Sequence, residues 1–302
     1  MRPSIARKLK PVTLVHLLVL CAGFSITSHA AIDPYVVVGK GISNRQTSAS
    51  NIQVDPTPQS PTYGGAYSFS VNVYDTNLIP APVVSGPMSV PEPYFNGGAL
   101  IYNNTDSYWR LGYPNAMDWG SPTLGDLNAH FGSGVYTVNV NGILFPLNLT
   151  GDAYSNTPMV ILSGGAWSGG KYVIDVNNAL TITTNAFSAY GTHSDDLIDF
   201  AVEGVINVRQ FHSTTPGANF LSITLPALTL TSGQDYNGYA GFIALVDSNS
   251  IGAPAGKLNA AFYSTDTNFT ISAVPEPVAM WQMASGLVLI GLGSIARKRK
   301  SA

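Results

Sequence analysis

The densest set of chemistry-bearing side chains is His193-Ser194-Asp195-Asp196, with Asp199 and Glu203 close behind. Asp195, Asp196 and Asp199 put three carboxylates into one short stretch. Such a set could hold Ca2+, a hard cation that takes roughly six to eight oxygen ligands. The spacing departs from an EF-hand loop, which needs a Gly at about position six and a Glu at about position twelve. The plainer reading is a polar loop entering a strand, with Asp199 on its solvent face. His130, His193 and His212 could meet as a zinc site, but they lack the i, i+4 or Cys-pair spacing of one. Surface or turn positions are the plainer reading for them. No Gly-x-Ser-x-Gly elbow marks a nucleophilic serine, and nothing in the sequence selects a carboxylate pair for glycoside hydrolysis. No catalytic residue is assigned, no cofactor is expected beyond the Ca2+ candidate, and the chain reads as a non-enzyme.

The second concentration is aromatic. Tyr108, Trp109, Tyr113 and Trp119 stand beside Asp106, Arg110 and Asp118. Aromatic faces with polar neighbours suit a wet, amphipathic ligand such as a sugar ring. Tyr108, Trp109 and Trp119 are therefore the candidate ligand-binding residues. The plainer reading has Trp109 and Trp119 plugging a core beneath a long loop.

The elements that would carry these residues read as strands. Tyr67–Tyr74 alternates apolar and polar residues after Gly64-Gly65, which is the period of a half-buried strand. Leu124, Leu127 and Phe131 keep helical spacing. Val135–Val140 and Ile143–Leu149 flank Asn141-Gly142, a type I′ hairpin signal because both central residues need positive φ. Pro146 places the second strand at an edge or bulge. Lys171–Val176 and Leu180–Thr183 flank Asn177-Asn178, and Leu197–Val202 and Val205–Phe211 flank Glu203-Gly204. Phe220–Leu225, Tyr239–Val246, Leu258–Tyr263 and Phe269–Ile271 follow. Short strands with regular turn signals predict a sandwich.

Composition narrows the function classes. Charged residues make up 10% of the 302-residue chain, against about 25% in an ordinary domain. The net charge of −3 hides a segregation. Arg2, Arg7, Lys8 and Lys10 sit at one end, and Arg297, Lys298, Arg299 and Lys300 at the other. Between Ala31 and Val274 there are six Lys and Arg against sixteen Asp and Glu. So acidic a body argues against nucleic-acid binding. The one cysteine, Cys21, lies in the N-terminal apolar run. Its neighbour Leu20 is larger than a lipoprotein site admits. A chain cut after that run would have no disulfide and no cysteine-based metal site.

The ends read as addresses. A basic stretch, an apolar run over Val12–Phe24 and a small-residue site before Ala31 form a secretory signal with cleavage between Ala30 and Ala31. The run has about 13 residues, short of the ~20 that span a bilayer. At the other end, Val274-Pro275-Glu276-Pro277 precedes an uncharged stretch from Val278 to Ala296. As a helix that stretch would be about 28 Å long, close to the ~30 Å hydrocarbon core. Arg297-Lys298-Arg299-Lys300 would stop transfer and stay cytoplasmic. The two prolines favour an extended backbone around Glu276. Val90-Pro91-Glu92-Pro93 repeats the tetrapeptide without a spanning run behind it and reads as a loop.

This tail resembles the PEP-CTERM sorting signal, which exosortases process in Gram-negative bacteria. The resemblance covers Val274–Lys300. It implies cleavage near Pro275–Pro277, loss of the helix and delivery to the cell surface or extracellular polymer matrix. The body resembles immunoglobulin- or fibronectin-like modules of secreted bacterial proteins with such tails. The residues that carry this are Leu127–Val138, Leu149–Pro158, Leu180–Phe187 and Leu225–Tyr236. Those modules usually have Trp-Asn-Ala-Phe where this chain has Thr184-Asn185-Ala186-Phe187.

The expected chain is all-β, with two tandem β-sandwich domains and a C-terminal transmembrane helix. A signal peptide occupies 1–30, a sandwich with long loops 31–149, a second sandwich 150–273, and the sorting tail 274–300 with its helix over 278–296. The expected function is that of an exported surface or matrix protein with a structural or interaction role, associated with exopolysaccharide. The alternatives are a carbohydrate-binding module and a hydrolase on a β-scaffold. Expected partners are signal peptidase and the secretion machinery, an exosortase-type protease, the membrane in passing, and extracellular polysaccharide.

Overall fold

The computed structural model describes residues 33–55, 65–76, 78–90, 96–104, 107–111 and 119–275. The signal segment with Ala30 and Ala31, and the tail from Glu276 through Arg297–Lys300, lie outside them. Among the described residues the protein is mostly β with one short helix. The strands before the helix are β1 (Asp33–Gln46), β2 (Ile52–Val54), β3 (Tyr67–Val73), β4 (Val83–Ser85), β5 (Ile101–Asn103), β6 (Tyr108–Arg110) and β7 (Trp119–Ser121). Helix α1 (Leu124–His130) follows, then β8 (Gly134–Val140), β9 (Ile143–Leu149), β10 (Val160–Ser163), β11 (Ala166–Ser168) and β12 (Lys171–Asp175). The rest are β13 (Leu180–Thr184), β14 (Leu197–Val202), β15 (Ile206–Phe211), β16 (Ser222–Leu225), β17 (Asp235–Asn249) and β18 (Lys257–Val274).

Local chemistry sets the clearest elements. Thr123 caps α1 by accepting from the Asp126 amide at 3.1 Å, which satisfies one of the four amides a helix start leaves unpaired. Asn141 and Gly142 have φ of 53° and 86°, and β8 and β9 pair in register around them. Pro146 sits in β9, an outer strand of its sheet. The turn at Asn177-Asn178 does not close a hairpin: β12 and β13 belong to different sheets.

One large sheet organises the body. Its order is β15-β14-β17-β18-β1-β3-β6-β5, with β2 beside β1, β7 beside β3, and β12 carrying β11 beside β18. The β1–β18 pairing is parallel and joins the first described strand to the last. Two small sheets, β4-β8-β9 and β10-β13-β16, pack on one face of it.

Each small sheet closes its own core. The first unites Val36, Val38, Phe69 and Val71 of the large sheet with Tyr136, Phe145 and Leu147. The second unites Ile198, Phe200, Phe242 and Ile271 with Val160, Leu180 and Ile182. β18 serves both: Ala261 and Tyr263 face the first core, Phe269, Ile271 and Ala273 the second.

The sequence places a domain boundary at 149/150. The small sheets do change there, but the large sheet runs through it unbroken. The connection after β9 is bonded to β18: Tyr263 donates to the Gly151 carbonyl, Thr265 to Ser155 at 3.4 Å and Thr267 to Pro158 at 2.6 Å. Gln46 at the end of β1 bonds both backbone groups of Val160 at 2.8 Å. Its carboxamide stands in for a strand backbone and ties β1 to the second small sheet. No helix among the described residues is long and apolar enough to cross a membrane, and the expected span at 278–296 lies outside them.

Candidate functional site

The face of the large sheet opposite the cores carries two carboxyls raised by burial, Asp199 and Asp266. Strand register lines up Arg209, Asp199, Gly241, Asp266 and Ser43 across β15, β14, β17, β18 and β1. Directly opposed residues share a face, so these form one row. Gly241 makes it possible. A Cβ there would lie 2.4 Å from the Tyr239 hydroxyl and 2.9 Å from Asp266 Oδ1. Into that space Tyr239 donates to Asp266 Oδ1 at 3.0 Å. Arg209 Nε sits 3.6 Å from Asp199 Oδ1.

The electrostatics follow from burial. Loss of water raises the Asp199 carboxyl, and Arg209 opposes the shift. Burial pushes Asp266 up to about 7; hydrogen bonds from Tyr239 and Ser264 oppose this, and the charge of Asp199 reinforces it. Burial also holds the Tyr239 phenol well above its usual range. Asp266 is thus a carboxyl that holds a proton near neutral pH, the property of a general acid. Yet its partners are internal: Tyr239 and Ser264 engage it, and Arg209 engages Asp199. The row faces its own members rather than an open site.

The sequence-selected acids are dispersed. Asp196 is fully buried. Its Oδ2 accepts from the amides of Gly191 and His193, both at 2.9 Å, and from the Thr192 hydroxyl at 3.2 Å. Its Oδ1 accepts from the Leu245 amide at 3.0 Å. That carboxylate fastens the loop before β14 onto β17. Asp195 lies 3.7 Å from His193 Nδ1, and Asp199 points to the row described above. His193 Nε2 contacts the Ser248 hydroxyl at 3.1 Å. His212 packs edge-on against Tyr190, and His130 lies against Trp119. No group of three or more His, Cys, Asp or Glu among the described residues is arranged to hold a metal.

The aromatic candidates divide between two faces. Trp109 opposes Val73 and Tyr102 and packs against the first core. Trp119 packs there too, edge-on to Phe131 at 5.6 Å. Tyr108 lies on the other face of β6, 5.2 Å from Tyr74. Segment 112–118, with Tyr113 and Asp118, is outside the described residues, as is Asp106. Trp109 Nε1 is buried with no hydrogen-bond partner among the described residues. Trp109→Phe removes that unpaired donor and some volume together, so stability should change by no more than about 1 kcal/mol in chemical denaturation. A larger loss would mean that the indole nitrogen has a role in the fold.

A polar cleft opens where two strands meet end to end. The last β18 residue paired with β1 is Asn268, opposite Arg45, and the first paired with β12 is Ile271, opposite Tyr172. The break holds a cleft of about 600 Å3, lined by Arg45, Gln46, Asp55, Lys171, Asn237 and Asn268 among others. Arg45 pairs with Asp55 at 3.5 Å, and Lys171 with Asp235 at 2.5 Å. The Lys171 ammonium holds the exposed Asp235 carboxyl below its usual range. No protein-family model matches this chain, and no curated protein matches it.

Sequence reasoning missed the row and the cleft because both join residues far apart in the chain. A local signal for the row is Gly241, between Tyr239 and Ile243 in β17. A glycine there marks a close approach of a neighbouring group.

Proposed function

We propose that this protein is exported, sorted through its C-terminal tail, and released to the cell surface or extracellular matrix, where its body serves a structural or interaction role. The observation that carries this reading is the succession of three parts in the tail sequence: Val274-Pro275-Glu276-Pro277, an uncharged run to Ala296, then Arg297-Lys298-Arg299-Lys300. The position of the motif supports it. Val274 is the last residue of β18, its carbonyl accepts from the Val176 amide at 3.1 Å, and Pro275 is exposed. A protease cutting at Pro275–Pro277 would leave the sheet whole. The body supports a non-enzymatic role, because its perturbed acids bond to other groups of the fold.

Exopolysaccharide is the partner this reading favours. The cleft between β1 and β12 offers amides, carboxylates and cations to a hydroxyl-rich ligand, without a strong net charge. Intact mass of the secreted protein tests the sorting. It should begin at Ala31 and end near Pro275–Pro277. A secreted form that retains Arg297–Lys300 would refute the processing.

A further inference from the structure

β1 carries a lysine into the first core. Lys40 is 1% exposed and lies opposite Phe69 on one side and Tyr263 on the other. Its Nζ donates to Asn128 Oδ1 at 2.7 Å, across 88 residues of sequence. The Asn128 nitrogen in turn lies 3.1 and 3.3 Å from the two oxygens of Asp152. The wall beside them is aromatic: Tyr154 packs edge-on to Tyr263 at 4.8 Å, and its buried hydroxyl has no hydrogen-bond partner among the described residues.

A lysine ammonium has three N–H donors and needs three acceptors. One neutral acceptor is present among the described residues, and a buried charge with so little compensation is costly. Burial therefore favours the neutral amine more than it would be favoured in water. Burial lowers the Lys40 ammonium, against the pull of the Asp152 charge. A neutral amine has a lone pair that can act as a nucleophile, and here its nitrogen lies 2.7 Å from the Asn128 carboxamide oxygen. Held at contact distance, two such groups gain the large effective concentration of an intramolecular reaction.

We propose that Lys40 and Asn128 join in an intramolecular isopeptide bond, with Asp152 as the proton-transfer group. The Lys40 nitrogen attacks Cγ of Asn128 and the new C–N bond forms. The proton that the Lys40 nitrogen loses passes to the Asn128 oxygen that it already touches, and Asp152 carries it from there to Nδ2, which its carboxylate already touches. The Cγ–Nδ2 bond breaks and ammonia leaves. A primary amine and a primary amide become a secondary amide and ammonia. Nothing is oxidised or reduced, and Asp152 returns to its starting state. Asp152 is exposed, so ammonia and water exchange at that end while the amine stays dry. The bond would clamp β1 to α1 in a chain whose only cysteine is Cys21. This inference rests on the core alone and stands or falls apart from the sorting reading.

Peptide mapping of the purified full chain by mass spectrometry tests it, and does not depend on how the ends are processed. The folded parent should give one branched species linking the Lys40 and Asn128 peptides, lighter by one ammonia than the two together. Asn128→Ala should abolish it. Asp152→Asn should lower the linked fraction at least tenfold, with the β-sheet circular dichroism retained. Recovery of both peptides from the folded parent only as separate, unmodified species overturns the bond. Full linkage in Asp152→Asn overturns the role of Asp152. The result on the parent needs no variant to fold.

Discussion

Replacing Asp196 with Ala is expected to cost about 3 kcal/mol or more of folding stability, from roughly 1–3 kcal/mol for each buried donor left unpaired. The carboxylate is fully buried and accepts four hydrogen bonds, three of them from backbone amides. Alanine leaves the amides of Gly191, His193 and Leu245 without their acceptor, at roughly 1–3 kcal/mol for each buried group left unpaired. The loss has leverage because the bonds join two elements. Gly191 and His193 belong to the loop before β14, whereas Leu245 stands in β17 just before its register shift. Asp196→Asn should fall between parent and alanine, because one side-chain oxygen still accepts and the new NH2 cannot. Denaturant unfolding with unchanged m-value would read these differences. The same experiment separates the hydrogen-bonded reading from calcium. If Asp196 acts through its amide partners, a chelator leaves the parent's midpoint where it was and added Ca2+ does not raise it. A midpoint that rises with Ca2+ in the parent and not in the alanine variant would return Asp195, Asp196 and Asp199 to the status of a metal site.

How much of this was legible in the sequence depended on how local the cause was. The β8–β9 hairpin could be read because Asn141-Gly142 and the flanking alternation are neighbours in the chain. β18 was legible only in pieces, as Leu258–Tyr263 and Phe269–Ile271. The polar stretch Ser264–Asn268 between them looks like a break. It holds as strand because β17 and β1 bond it from both sides, and a double ladder outweighs weak local preference. β1 was legible only at Tyr35–Val38, since Gly39 and Gly41 lower strand propensity. The fold explains both glycines: a Cβ on Gly39 would strike the Phe262 ring at 2.4 Å, and one on Gly41 would meet the hydroxyls of Ser264 and Ser68 at 2.8 Å. The shared sheet was not legible, because its parallel β1–β18 seam joins the two ends of the body and leaves no local trace. The candidate sites failed for the same reason. Nothing near Lys40 in the sequence singles it out before Phe69, Asn128 and Tyr263 arrive around it, and Asp266 meets Asp199 only through β17.

The pH dependence of stability should be dominated by Asp266. An unfolded carboxyl of this type titrates near 3.9, whereas burial pushes the native one up to about 7. Below about pH 4 the group is protonated in both states and stability does not depend on it. Between those values the native state keeps a proton that the unfolded chain releases, so stability falls as pH rises, by up to about 1.4 kcal/mol per pH unit. Above the native value the loss is complete and reaches about 4 kcal/mol at most. Asp199 is raised too, so it acts in the same direction, while Arg209 limits its share. Asp266→Asn should remove this slope. Asparagine can still accept the Tyr239 hydroxyl but cannot ionise, so near pH 8 the variant should be the more stable by up to about 4 kcal/mol, and near pH 4 the two should agree within about 1 kcal/mol. Tyr239→Phe supplies an internal check. Its hydroxyl opposes the rise of Asp266, so its loss should carry the titration to higher pH. Urea midpoints measured across this range for the three proteins decide the matter, and parallel profiles for the parent and Asp266→Asn would mean that some other group carries the dependence. The consequence for the fold is directional. The centre of the large sheet is tightest when Asp266 holds its proton, and alkaline conditions loosen β17 and β18, the strands that both cores share.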